Sequence, residues 1–240
     1  RADKEEPQEE TDKIVLSIVY RVLGESQIQI QYATHKTQYE TRRCTQMMDA
    51  IKKLRDKTSA GVVDCKKALK ESGGDIDKAI EVLRKQGAVL ASKKAGRTAK
   101  EGRIESYIHL GGKIGVMVEV NCESDFVARN DDFKSFVKDI AMQIAASSPL
   151  YLNKIDVPAA SIAKETEIIK AQIKDKPAAV IEKITEGKLN KFFEDTCLLE
   201  QPFIKDTNLK VKDILTSMIA KIGENIVIKR FVRWNLGEEN

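Results

Sequence analysis

The feature that most constrains the fold is a pair of alternating segments joined by two glycines. Small or apolar residues occupy every second position from Ile104 to Ile108, and apolar residues do so again from Ile114 to Val120. Gly111 and Gly112 lie between the two segments. Strand side chains alternate between two faces, and glycine supplies the backbone angles of a tight turn. The pattern predicts an antiparallel β-hairpin.

Helical periodicity follows the hairpin. Ser124 can cap a helix, and a stripe of apolar residues runs from Phe133 to Ile144. Further helices are predicted over residues 158–173, 177–186, 188–194 and 211–221. Alternation returns between Asn225 and Leu236, so this segment can pair with the hairpin in a three-stranded antiparallel sheet. We therefore expect residues 104–240 to form an α+β core with flanking helices.

The segment before the hairpin predicts a different kind of unit. Residues 48–92 contain three short apolar stripes with helical spacing, which are Ile51 and Leu54; Val62, Cys65 and Leu69; and Ile76, Ala79, Ile80 and Leu83. Asp75 can cap the third helix, and Gly87 is expected to end it. The stripes predict a compact three-helix module. Residues 93–103 are rich in Lys, Arg, Gly and Ala and are interpreted as a basic linker.

Residues 1–47 show no sustained periodicity. An acidic opening precedes a short β-like run and a polar stretch. We interpret this segment as a leader that is disordered, processed or artefactual, and we expect the native start at Met47 or Met48.

The basic charge of the chain is concentrated in one part. Residues 48–103 hold 15 Lys and Arg against 8 Asp and Glu, although the whole chain carries only +4. Such a patch attracts an acidic protein or a nucleic acid, but it equally fits solvated helix faces. An RNA- or ribosome-binding module is therefore an alternative, weakened by the lack of aromatic residues for base stacking. A three-helix module that binds a ubiquitin-like protein or a nascent chain is another.

Several classes of chemistry have no carrier in the sequence. The motifs GxxxxGK[ST], HExxH and GxSxG are absent, and neither His35 nor His109 has a nucleophile or metal partner nearby in sequence. The four cysteines lack zinc-binding spacing, and the longest apolar runs are far shorter than the ~20 residues that span a bilayer. We expect a binding protein that is not an enzyme, without metal, cofactor, direct nucleotide binding or membrane insertion.

Two stretches carry a specific resemblance. Residues 54–69 (LRDKTSAGVVDCKKAL) and 119–129 (EVNCESDFVAR) resemble the two motifs of the translation elongation factor Ts family, and the similarity covers residues 48–237. The chain departs from the usual family pattern at Ser59, where glycine is common, and at Ser124, where threonine is common. Serine retains the capping hydroxyl at position 124.

The resemblance implies a guanine nucleotide exchange factor for elongation factor Tu, with a ubiquitin-associated-like N-terminal module that docks on the GTPase. It also implies that Asp125 and Phe126 form a wedge that disturbs the Mg²⁺ and phosphate site. Phe126 lies seven residues before Phe133 and would share its buried stripe on a continuous helix. The polar cluster Arg129–Asp132 can instead divide that helix and cap a second one at Asp131 or Asp132, which would leave Phe126 exposed. The other partner-facing residues implied are Arg55, Val62, Val63, Lys66, His109, Ile222 and Gly223.

The chain resembles the short members of the family, which have one core unit where longer members have two. We therefore expect a homodimer built through residues 104–240, in a bacterial cytoplasm or in an organellar matrix or stroma.

Overall fold

A computed structural model describes residues 25–58, 60–173 and 177–238. The N-terminal part contains three helices, α1 (Glu25–Thr58), α2 (Val62–Glu71) and α3 (Ile76–Lys94). Asp75 caps α3 as predicted, accepting hydrogen bonds from the backbone N–H groups of Asp77 and Lys78.

The C-terminal part is the predicted α+β core. Its first elements are β1 (Glu101–Ile108), β2 (Ile114–Cys122), α4 (Asp125–Arg129) and α5 (Asp131–Ser147). A short 3₁₀ turn (Lys154–Asp156) leads to α6 (Ala159–Gln172) and α7 (Ala178–Thr196), and a second turn (Leu198–Glu200) follows. The chain ends with β3 (Pro202–Phe203), β4 (Asp206–Lys210), α8 (Val211–Ile222) and β5 (Val227–Asn235).

The predicted three-stranded antiparallel sheet is confirmed, with strand order β1-β2-β5. Val116 pairs with Tyr107 on one side and with Arg233 on the other, so β2 is the central strand. Its even-numbered residues from Val116 to Cys122 are buried, as the alternation predicted. The isoleucines of β1 lie on the opposite face, because Ile108 pairs with Gly115 and Ile104 with Glu119.

Helix α5 covers the buried face of the sheet. The predicted apolar stripe is buried throughout, and it comprises Phe133, Phe136, Val137, Ile140 and Ile144. Burying a side chain of this size contributes about 1.5–3 kcal/mol relative to leaving it in water. These residues and the inward side chains of β2 and α8 form one hydrophobic core.

The three N-terminal helices have a smaller core of their own. Leu54, Cys65, Ala68, Leu69 and Ala79 are buried there. This confirms the predicted helical unit, while its likeness to ubiquitin-associated modules stays a prediction.

The expectation that α3 ends at Gly87 is wrong. The helix continues to Lys94, and Gly87 packs against α8, where a Cβ on it would lie 3.4 Å from the Ala220 Cβ. Glycine thus allows two helices to approach closely, and this approach joins the N-terminal module to the core.

Other differences concern element boundaries. Residues 177–194 form one helix rather than two, because Gly187 is tolerated inside α7. Residues 25–47, expected within a disordered leader, form the first part of α1, and residues 34–46 are exposed. Residues 1–24 and Ser59 lie outside the described part. The small β3–β4 sheet had no clear pattern in the sequence.

Among the helices that the structure describes, none is long and apolar enough to cross a membrane.

Candidate functional site

The most exposed candidate residue lies where the chain passes from sheet to helix. Ser124 caps α4, its hydroxyl accepting a hydrogen bond from the Val127 N–H, and α4 ends after only five residues at Arg129. The predicted division of the helix is confirmed, but its second cap is Asn130 rather than Asp131 or Asp132. The new helix axis removes Phe126 from the Phe133 stripe, and its side chain is 89% exposed.

Asp125 lies beside this ring at the start of α4. Its Oδ2 is 2.7 Å from the Arg129 guanidinium, one helical turn later. Both side chains are more than half exposed, so the ion pair contributes little to stability. It holds an acidic and a basic group next to an exposed aromatic ring, which is a surface suited to a protein partner.

The second candidate pair, Ile222 and Gly223, forms the bend between α8 and β5. Ile222 is half-buried against the core, and Gly223 ends the helix in a left-handed conformation with φ 80°. A side chain there would be strained, so helix termination alone explains this glycine.

The bend is held against the residues that precede Phe126. Glu224 Oε2 accepts hydrogen bonds from the backbone N–H groups of Glu123 (3.2 Å) and Ser124 (3.0 Å), and Oε1 accepts one from the Ser124 hydroxyl (2.6 Å). In return, Glu123 Oε1 accepts the Asn225 N–H at 2.6 Å. We call this exchange between residues 123–124 and 224–225 the carboxylate clasp.

Basic residues at the end of α3 and just after it add further contacts to the clasp. The Lys94 ammonium donates to the Gly223 carbonyl, Arg97 lies 3.4 Å from Glu123, and the Arg97 carbonyl accepts from the Asn225 amide. The Asn225 N–H, followed by the charge of Arg97, holds the pKa of Glu123 below its usual value. The clasp has no signal in the local sequence, because its two halves are about a hundred residues apart and its polar residues follow no periodic pattern.

The remaining candidate residues, on the N-terminal module, all have side chains exposed to solvent. Arg55, Val62, Val63 and Lys66 are all exposed. Val62 is exposed although it shares the helical spacing of Cys65 and Leu69, because α2 begins at Val62 and its first turn extends beyond the core around Cys65. Two adjacent exposed valines between basic residues give this face an apolar centre.

His109 lies apart from the wedge residues. It follows β1, its N–H donates to the Ile114 carbonyl, and its Nδ1 is 3.1 Å from the Tyr107 hydroxyl. Phe126 follows the other end of β2, and eight residue steps of about 3.3 Å separate the two ends by about 26 Å. The structure brings Asp125 and Phe126 close to Ile222 and Gly223, and it leaves His109 at the far end of the sheet.

The sheet face opposite α5 is uncovered among the described residues and largely apolar. Its exposed apolar side chains are Ile104, Ile108, Met117, Val232 and Trp234, and an ion pair between Arg230 and Glu119 lies on the same face. The described residues include no group of three or more His, Cys, Asp or Glu side chains that could hold a metal ion.

Comparison with known proteins agrees with this description. The family model described as "Elongation factor TS" matches residues 42–238. The chain belongs to the elongation factor Ts family. A family member from Carboxydothermus hydrogenoformans is 60% identical over 190 residues, which cover 78% of this chain and 88% of the relative. Another, from Thermotoga maritima, is 59% identical over 191 residues, covering 80% of this chain and 96% of the relative.

Proposed function

We propose that this chain is a guanine nucleotide exchange factor of the bacterial cytoplasm that promotes GDP release from translation elongation factor Tu. Asp125 and Phe126 enter the GTPase near its Mg²⁺ and phosphate site. The observation that carries the proposal is the exposure of Phe126 at the start of a short helix. A ring so exposed gains nothing from the fold and loses water when a partner covers it.

The chemistry needed for exchange is binding alone. A GTPase holds its nucleotide through Mg²⁺ and phosphate contacts, so an exchanger must bind the nucleotide-free form more tightly than the loaded form. Linkage is reciprocal, so nucleotide rebinding must lower the affinity of the exchanger for the GTPase by the same factor. Each tenfold gain corresponds to about 1.4 kcal/mol of differential binding, which a few contacts can supply.

The N-terminal module supplies a separate docking surface. Val62 and Val63 provide exposed apolar area, and Arg55 and Lys66 provide positive charge beside it. Such charges increase the rate of encounter with an acidic partner. Because α3 packs on α8, a docked module would hold the wedge at a fixed distance from the GTPase domain.

A second copy completes the site. One chain presents one Phe126 and one His109, which follow opposite ends of the hairpin strands, and β2 between those ends is about 26 Å long. The uncovered apolar face of the sheet is suited to a twofold contact between two copies, and a dimer places the His109 of one protomer beside a partner that is bound to the wedge of the other. We therefore propose that the exchanger is a C2 homodimer built through residues 104–240.

Equilibrium binding to purified elongation factor Tu tests the proposed function. The protein should bind the nucleotide-free form at least tenfold more tightly than the GDP-loaded form, and added GDP or GTP should dissociate the complex. Equal affinity for both forms would contradict the proposal. Binding to RNA that falls steeply with salt, without binding to elongation factor Tu, would favour the nucleic-acid alternative.

A further inference from the structure

The wedge helix is too short to orient itself. Helix α4 has five residues, whereas isolated helices below about 12 residues are marginal in water. Among its residues Ala128 is buried and Val127 packs partly against the core, whereas Phe126 is almost fully exposed. The groups that hold its first turn therefore contribute to the direction in which Phe126 points.

Those groups converge on one carboxylate. Both backbone N–H groups before the helix and the Ser124 hydroxyl donate to Glu224. The Ser124 hydroxyl uses its proton for Glu224 at 2.6 Å and accepts the Val127 N–H at a longer 3.5 Å. Glu224 thus fixes the rotation of the capping hydroxyl, and the cap in turn orients α4.

The same carboxylate follows directly after Ile222 and Gly223. Since Glu123 Oε1 also accepts the Asn225 N–H, the two segments cannot move independently without breaking charge-assisted hydrogen bonds at both ends. Lys94 and Arg97 extend this connection to the end of α3, which carries the N-terminal module.

We propose that Glu224 is a positioning residue for exchange, which acts through Ser124 to aim Phe126 and makes the wedge and the Ile222–Gly223 bend one rigid unit. This inference rests on the proposed function. Without the carboxylate, the ring remains on the surface but samples many directions, and part of the binding energy is spent on ordering it.

The test uses the full-length protein and the rate of labelled GDP release from elongation factor Tu, measured against exchanger concentration. Glu224→Ala should lower the maximal rate about tenfold or more, because it removes hydrogen bonds to a charged group. The half-saturating concentration should stay within about twofold, because the docking face of the N-terminal module is unchanged. Glu224→Gln keeps one acceptor oxygen and should recover part of the rate.

A variant that carries both Glu224→Ala and Phe126→Ala separates a positioning role of Glu224 from a general effect on stability. If Glu224 acts through the ring, Glu224→Ala should have no further effect in a Phe126→Ala background. Glu194→Ala is the matched control, since it removes a carboxylate paired with Lys210 far from the clasp, and it should leave the maximal rate unchanged. Circular dichroism and thermal unfolding show whether each variant is folded at the assay temperature, and Glu224→Gln replaces Glu224→Ala if the latter is not.

The outcomes distinguish the two proposals. Exchange that is insensitive to Phe126→Ala would overturn the proposed wedge. A loss with Phe126→Ala, but a folded Glu224→Ala or Glu224→Gln protein with the wild-type maximal rate, would overturn the positioning role alone. Additive losses in the double variant would also overturn it, because Glu224 would then act by another route.

Discussion

At the scale of single residues, two phenylalanines seven positions apart have opposite environments. Phe126 is 89% exposed, and Phe133 is fully buried in the main core. The break at Asn130, which caps a new helix, places them on two different helices. We therefore expect substitution of Phe126 to affect partner binding and substitution of Phe133 to affect stability.

Phe126→Ala should lower exchange strongly and change the free energy of unfolding by less than about 0.5 kcal/mol, as expected for a surface substitution. Phe133→Ala is the control and should cost about 3–5 kcal/mol, because it leaves a cavity in the core. Chemical denaturation and GDP release measure the two effects. A loss of several kcal/mol with Phe126→Ala would show that the ring belongs to the core.

Cys122 should make stability fall at alkaline pH. Burial, followed by the charge of Glu224, raises the pKa of this thiol from 9.0 to about 11. The folded state therefore keeps the proton at a pH where the unfolded state has lost it. The contribution is fully present below pH 9 and disappears as the pH rises from about 9 to 11.

The measurement is the free energy of unfolding at pH 8 and at pH 10.5, for the wild type and for Cys122→Ala. The variant is expected to be less stable at pH 8 and to lose less stability between the two values. Parallel pH dependence in the two proteins would contradict the assignment.

At the scale of elements, periodic patterns in the sequence predicted the main strands and helices, but they did not predict contacts between residues far apart in the chain. The alternation in β2 and the apolar stripe of α5 each arise from one buried face, so periodicity was sufficient to predict both elements. Gly87 was misjudged as a helix end because its close neighbour, Ala220, is more than a hundred residues away. The clasp between Glu123 and Glu224 was missed for the same reason.

In the candidate site, too, features with a local signal in the sequence were predictable and features without one were not. The exposure of Phe126 was predictable from the capping residues after it, which are local in sequence. The exposure of Val62 was implied by the family resemblance but not by periodicity, since its spacing from Cys65 fits a buried stripe and the start of α2 removes it from the core.

Position 102 in β1 is predicted to tolerate only glycine. It has φ 145° and pairs with Asn121, and an added Cβ would lie 2.2 Å from the Val120 carbonyl oxygen. Gly102→Ala should therefore destabilise the protein by more than about 1 kcal/mol. Gly96→Ala is the control, because nothing lies within 4 Å of its Cβ position, and it should be nearly neutral. Equal midpoints of thermal unfolding for both variants would refute the close approach.

At the scale of the whole molecule, the uncovered sheet face predicts self-association. Light scattering at micromolar concentration should give twice the mass of the 26.9 kDa chain. Trp234→Lys, which places a charge within the apolar part of this face, should give the monomer mass. A monomer with full exchange activity would defeat the dimer proposal.

The composite site makes a sharper prediction. If one protomer supplies Phe126 and the other His109, a mixture of Phe126→Ala and His109→Ala proteins forms heterodimers with one intact site. Equal mixing should restore about one quarter of the wild-type sites. Exchange no higher than the sum of the separate variants would contradict the shared site.

Release of labelled GDP from elongation factor Tu, with and without this protein, tests the exchange function directly. The rate should rise with protein concentration to a plateau many times above spontaneous release, and the plateau should fall when Phe126 is replaced by alanine. Release at the spontaneous rate, with folded protein in excess, would show that the protein is not an exchange factor.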